Sequence, residues 1–294
     1  MRGMIATYRW ICCQLATLMV ATGLLSAAVA GQGLIYSVQR DDGPPSFLVG
    51  TMHSEDQRVI GLLAQFSPLI EQVDVVVVEL VPDAVTMLAV SAAALLPLDQ
   101  SLSGMVGSDR FEALVRVAAP LGLPAEMLDR MKPWAAAVTL GMPNPKTGRF
   151  LDMEIYLRAL ERKKTVLGLE TAAEQLAVFD RLSADAQLLL LDAMVKNADE
   201  LPKQLEELTA VYLQGDLALI QQVARSQYKD MPEQITRWFD EQLLDRRNAH
   251  MLARVEELLE NDRLLVAVGA MHLAGETGLV AGLERLGYRV EPWP

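Results

Sequence analysis

The chain has 294 residues, 51% of them hydrophobic and 5% aromatic, and its 26 basic against 38 acidic side chains leave a formal net charge of −12. That length and apolar content can bury a large core, as one domain or one domain with an insertion. The acidic balance argues against a nucleic-acid partner, which needs a basic face, and against electrostatic attachment to anionic lipid.

Residues 1–30 stand apart. "MRGMIATYRW" carries two arginines and no acid, and the apolar run after it ends in Ala28-Val29-Ala30, an A-x-A cleavage pattern. This is the pattern of a secretory signal peptide, with an uncleaved membrane anchor as the alternative. Cys12 and Cys13 both fall inside the segment. The mature chain therefore offers no disulfide, thiol nucleophile or cysteine metal site. Export without cysteine fits a periplasmic or secreted protein.

"LIYSVQR" and "SFLVGT" flank "DDGPP", which predicts a β-hairpin over residues 34–51. "LLAQFSPLIEQ" reads as a helix. "VDVVVVEL" (residues 73–80) has the composition of a strand buried on both faces. A helix restarts after it, with Pro82 near its first turn. Helices broken by glycine and proline come next, ending in the amphipathic "LDMEIYLRALERKK" (residues 151–164). "TVLGLE" (residues 165–170) is a second short strand, and "TAAEQLAVFDRL" the next helix. Residues 183–229 hold two or three helices, and "PEQITRWFDEQLLDRRNAHMLARVEELLE" one long helix or two in line. "RLLVAVG", "AGETGLVAGLERLG" and "YRVEPW" close the chain as strand, helix and strand. Strand–helix alternation at both ends predicts an α/β fold. Its central, mostly parallel sheet carries an N-terminal β-hairpin and a large α-helical insertion, in stretches at about 85–160 and 171–235.

Ligands bind open α/β sheets at the C-terminal strand ends. Four predicted strands place a metal-capable residue there: His53, Glu79, Glu170 and His272. Two imidazoles and two carboxylates suit Zn²⁺, Mn²⁺, Fe²⁺ or Co²⁺. Gly50 and Gly269 precede the histidines in the shared frame V-G-x-M-H, where a glycine allows a sharp turn as the chain leaves the strand. A strand-end glutamate is also a common first-turn residue of the next helix, which is the competing role for Glu170. His250 has helical spacing and reads as a surface or packing residue. Asp152 opens a helix, where an N-cap or first-turn role is the default. No serine-hydrolase elbow, P-loop or dinucleotide fingerprint is present.

The blocks "FLVGTMHS", "VVVVEL", "LD", "VLGLETAAEQLAVF", "LLDRRNAHM" and "VAVGAMHLAGETGLVAGLERLGYRV" occur in that order. Together they resemble the TraB/GumN family, which includes the Tiki proteins and is similar to the erythromycin esterase and ChaN-like group. The resemblance implies an α/β core with a helical insertion and a metal-dependent protease using two G-x-x-H motifs and a glutamate. Carried over, the motifs are Gly50/His53 and Gly269/His272, and Glu79 or Glu170 fits the acidic position. Arg247 and Asn248 match an R-N pair, and Gln175 matches a glutamine after the G-L-E element. These three would bind substrate, and the glutamate not used as a ligand would be the general base.

The expected protein is a periplasmic or secreted hydrolase with a divalent metal (Mn, Co or Zn), acting on a peptide or exported protein. The alternative is a non-catalytic haem, metal or peptide-binding protein of the cell envelope.

Overall fold

The computed structural model describes residues 33–40, 42–142 and 147–294, so the expected signal peptide lies outside the described residues. The hairpin pairs β1 (Ile35–Gln39) with β2 (Ser46–Thr51) antiparallel. Helices α1 (Gln57–Ile60) and α2 (Leu63–Gln72) lead to β3 (Val75–Val78). Helices α3 (Ala84–Ala93), α4 (Leu102–Val106), α5 (Ser108–Ala118), α6 (Ala125–Leu128), α7 (Pro133–Gly141) and α8 (Leu151–Glu161) precede β4 (Thr165–Gly168). Five further helices come after it: α9 (Ala172–Asp180), α10 (Ala184–Asn197), α11 (Leu201–Tyr212), α12 (Leu217–Tyr228) and α13 (Glu233–Trp238). A π-helical turn, Phe239–Asp245, joins α13 to α14 (Arg246–Leu259). The chain closes with β5 (Leu264–Gly269), α15 (Ala270–Leu273), α16 (Leu279–Arg285) and β6 (Arg289–Pro292).

The sheet order is β4-β3-β5-β2-β1-β6. β2, β5, β3 and β4 run parallel, and β1 and β6 are antiparallel additions at one side. Parallel neighbours need long crossovers, and the helices supply them. The central strands are covered on both faces, which is why they read as unbroken apolar runs: Val76, Val77, Leu264 and Leu265 are fully buried. Each such side chain stabilises the fold by about 1.5–3 kcal/mol relative to exposure. The edge strand β4 alternates exposed and half-buried positions instead.

Two cores exist among the described residues. One joins the sheet to α2, α8, parts of α11, α12 and α14, and α15 and α16. The other is purely helical and draws on residues 96–140, 186–191 and 235–238. A helical layer therefore stands beside the sheet, in keeping with an α/β fold rich in helices. Residues 151–161 belong to the sheet layer, where Leu151, Ile155 and Ala159 are buried against it. Tyr212, Leu217 and Ile220 also join the sheet core. Pro82 lies outside α3, whose N-cap is Asp83, and "AGETG" is a turn leading to α16 rather than helix.

Candidate active site

Four strand ends lie side by side at one edge of the sheet, as parallel packing requires. Pairing runs past the strands themselves: the Glu170 amide donates to the Glu79 carbonyl at 2.8 Å, which holds the two acids next to each other. Glu170 does not cap the next helix. Thr171 is the N-cap of α9, in a capping box with Glu174, which leaves the Glu170 side chain free to turn inward.

There it meets Arg247. The π-helical turn delivers Arg246, Arg247 and Asn248 to the first turn of α14, and Arg247 and Asn248 are buried. Such turns recur at functional sites, where the extra residue rotates the next helical turn into a new register. Arg247 Nε donates to Glu170 Oε1 at 2.9 Å, and Nη2 donates to Glu170 Oε2 at 2.6 Å and to Glu79 Oε2 at 2.8 Å. Nη1 faces His272 Nε2 at 3.2 Å and the Leu243 carbonyl at 3.5 Å. All five guanidinium hydrogens are thus engaged.

His272 is 5% exposed and lies in α15. Arg247 can only donate, so Nε2 accepts, and Nδ1 carries the proton it gives to Asn248 Oδ1 at 2.6 Å. Burial holds the imidazole below the usual histidine range, helped by Arg247 and opposed by Glu79 and Glu170. Burial works against charging Glu79, but Arg247 and the Gly269 amide, joined by His272 only when it is protonated, more than offset it, so its carboxyl sits below the usual carboxylate range. The Arg247 guanidinium is raised despite its burial, because Glu170 and Glu79 bind it.

The glycines act by close approach rather than by turning. Gly269 ends β5 at φ −51°, which any residue can adopt. Its N–H donates to Glu79 Oε1 at 2.7 Å, and a Cβ there would stand 3.3 Å from that oxygen. Gly50 lies inside β2, where a Cβ would meet Ala270 Cβ and Leu273 Cδ1 at 3.2 Å. Its absence lets α15 press against the strand.

Sequence reasoning gathered His53, Glu79, Glu170 and His272 around one ion. The structure joins Glu79, Glu170 and His272 with Arg247 and Asn248, and Gln175 reaches the edge of the cluster, its Nε2 3.5 Å from Glu170 Oε2. His53 makes its contacts elsewhere. Its side chain is 51% exposed, its Nδ1 is 3.6 Å from Asp152 Oδ2, and its ring stacks on Phe150 with centroids 3.7 Å apart. Asp152 lies in the first turn of α8, as its sequence position suggested, yet its carboxylate accepts from the Thr51 hydroxyl and faces His53. The sequence signal for this was slight: an "LD" between two strands. His250 is half-exposed beside Glu174 on the outer side of α14.

Among the described residues, no group of three His, Cys, Asp or Glu side chains is placed to hold a metal ion. The donor set explains this. Glu79, Glu170 and the one available lone pair of His272 are directed at the Arg247 guanidinium, so in this arrangement they fit that cation and neither a divalent metal nor a haem iron.

Arg247 and His272 also line a cavity of about 400 Å³ between the two cores. Its walls are mostly apolar, with Leu140, Met194, Met231, Phe239 and Leu243 among them, and Asn197 and Gln204 add amides. A second cavity, of about 180 Å³, is lined by Arg247 together with Glu170, Glu174 and Arg246. No sequence pattern announced either space, because each is assembled from helices far apart in the chain.

A family model described as the TraB/PrgY/gumN family matches residues 34–292. The chain is also 27% identical to a protein named Metalloprotease TIKI1 from Danio rerio, over 88% of this chain and 63% of that protein. A protein of the same name from Xenopus tropicalis is 25% identical, over 87% of this chain and 60% of that protein. The chain thus spans about three fifths of the length of these curated relatives. No solved structure matches.

Proposed function

The chain belongs to the TraB/PrgY/gumN family, and from that premise we propose that it is a peptidase acting on a peptide or exported protein outside the cytoplasm. The observation that carries this reading is the cavity that Arg247 and His272 line. It is a mostly apolar chamber of about 400 Å³, within the range of small-ligand sites. The name of the two relatives supports proteolysis, and the export component rests on the sequence of residues 1–30.

Exposure separates the two glutamates. Glu170 is 3% exposed and Glu79 23%. Glu170 anchors Arg247 by two hydrogen bonds, while Glu79 is the carboxylate that water reaches. On this reading Glu79, ionised and the more accessible of the two, takes the general-base role. The weakest bond of Arg247, at 3.5 Å, goes to the carbonyl of Leu243, a cavity-lining residue. A substrate carbonyl oxygen exchanges most readily for that partner, and as charge develops on it the guanidinium stabilises it. Asn248 fixes the His272 ring. The apolar walls receive a bulky side chain, and Asn197 and Gln204 offer amides to its flanking backbone.

A defined peptide library incubated with the full-length chain, with and without Mn²⁺, Co²⁺ or Zn²⁺, and read by mass spectrometry tests the proposal. Cleavage beside bulky apolar residues, abolished by Glu79→Gln, is the expected result. No cleavage under any condition, together with a haem Soret band that His272→Ala removes, would replace it with a non-catalytic binding role.

A further inference from the structure

The name of the relatives brings a metal into view, and the cluster at the sheet edge is already filled by a cation of the chain's own. We infer that Arg247 closes the Glu79–Glu170–His272 donor set to divalent metal ions, so that the guanidinium and a metal are alternative occupants of one place.

The donors leave little room for both. A metal ligated by His272 needs the Nε2 lone pair, because Nδ1 carries the proton given to Asn248. Arg247 Nη1 holds that lone pair at 3.2 Å. A metal bridging the acids needs Glu79 Oε2 and Glu170 Oε2, and Arg247 Nη2 stands at 2.8 Å from the first and 2.6 Å from the second. The other Glu79 oxygen is held by the Gly269 amide at 2.7 Å. The other Glu170 oxygen is held by Arg247 Nε at 2.9 Å. A divalent ion bonds to such atoms at about 2.0–2.2 Å, and a guanidinium within hydrogen-bonding distance of the same oxygens puts two cations in contact inside a buried site. Like charges that close, with little water between them, repel strongly.

The surroundings give the guanidinium another place. Arg247 lines both cavities. Withdrawal into either exposes three donors at once. Arg247 then becomes the residue that sets metal affinity, by its presence rather than by ligation.

Mn²⁺ titration of the full-length chain, followed by electron paramagnetic resonance of the free ion, tests this without substrate, so the outcome is independent of whether the protein cleaves peptides. Arg247→Gln is expected to bind Mn²⁺ at least tenfold more tightly than the natural chain, and adding Glu79→Gln should remove the gain. In the Arg247→Gln background, His272→Ala should likewise remove the gain, because it takes away the lone pair that Arg247 otherwise holds. An Arg247→Gln variant that binds no more tightly overturns the inference. So does a gain that survives both Glu79→Gln and His272→Ala, since the ion then binds elsewhere. Arg247→Lys, which keeps a cation but lacks the planar fork that holds all three groups, should also bind Mn²⁺ more tightly than the natural chain and decides the matter if Arg247→Gln does not fold.

Discussion

Arg247 grips Glu170 through two nitrogens, Nε at 2.9 Å and Nη2 at 2.6 Å, across 77 positions of sequence. The pair is nearly dry, at 9% and 3% side-chain exposure. Removing one member of a buried ion pair strands the other charge, which costs about 3–5 kcal/mol. Arg247→Gln should therefore lose about 3–5 kcal/mol of stability in urea denaturation, since both acids are stranded. Glu170→Gln should lose less, because Arg247 keeps Glu79. Equal losses would show that the two acids do not share the guanidinium.

The two motif glycines should fail in different ways. Gly50→Ala forces a methyl into packed Ala270 and Leu273, and overpacking of this kind destabilises by about 1–3 kcal/mol. Gly269→Ala meets the Glu79 carboxylate at 3.3 Å and, in ordinary contact, His272 Cδ2 at 3.7 Å. Its main effect should be a fall in kcat with stability largely kept, because the general base is pushed off its amide donor.

Stability should fall as pH drops below about 6.5, the unperturbed histidine value. His272 is held below that value in the folded chain, so between the two the unfolded chain binds the extra proton. ΔG of unfolding then rises with pH, by up to about 1.4 kcal/mol per unit for this one group. Glu79, also lowered, adds a loss of the same sign at more acid pH. Denaturation midpoints of the natural chain and of His272→Gln from pH 7 to pH 5 measure the first part, and the variant should show the shallower slope.

The cavity sets a preference that can be altered without touching the acids. Ala224 lines its wall. Ala224→Trp fills part of the space and should raise KM at least tenfold for substrates with a bulky apolar residue at the cleavage site. kcat, and the KM of a glycine-containing analogue, should stay within twofold. A uniform loss across substrates would place the cleaved residue elsewhere.

His53 and Asp152 should behave as a unit. Their contact at 3.6 Å, with Asp152 also held by Thr51, predicts that Asp152→Asn and His53→Ala each lower stability slightly and that the double variant falls no further than the worse single one. Additive losses in that cycle would show that the two act separately.

Much of this architecture is local and was legible in the chain. Four consecutive valines, Val75–Val78, announce a strand covered on both faces. The Thr171–Glu174 capping box marks the start of α9. The order of strand ends places Glu79, Glu170 and His272 along one edge. Residues 1–30 give the export expectation from sequence alone.

The tertiary structure decided what those residues touch. Whether Glu170 caps a helix or turns inward depends on a guanidinium delivered by α14, and whether His53 joins His272 depends on Asp152 and Phe150 at the start of α8. The role of the glycines depended on the atoms packed above them, since neither φ nor strand position separates a turn from a close approach. Apolar periodicity records which face of an element is buried, because that is a property of neighbouring residues. It carries no record of which charge completes a buried cluster, because that partner arrives through the packing of elements 77 and 168 positions away.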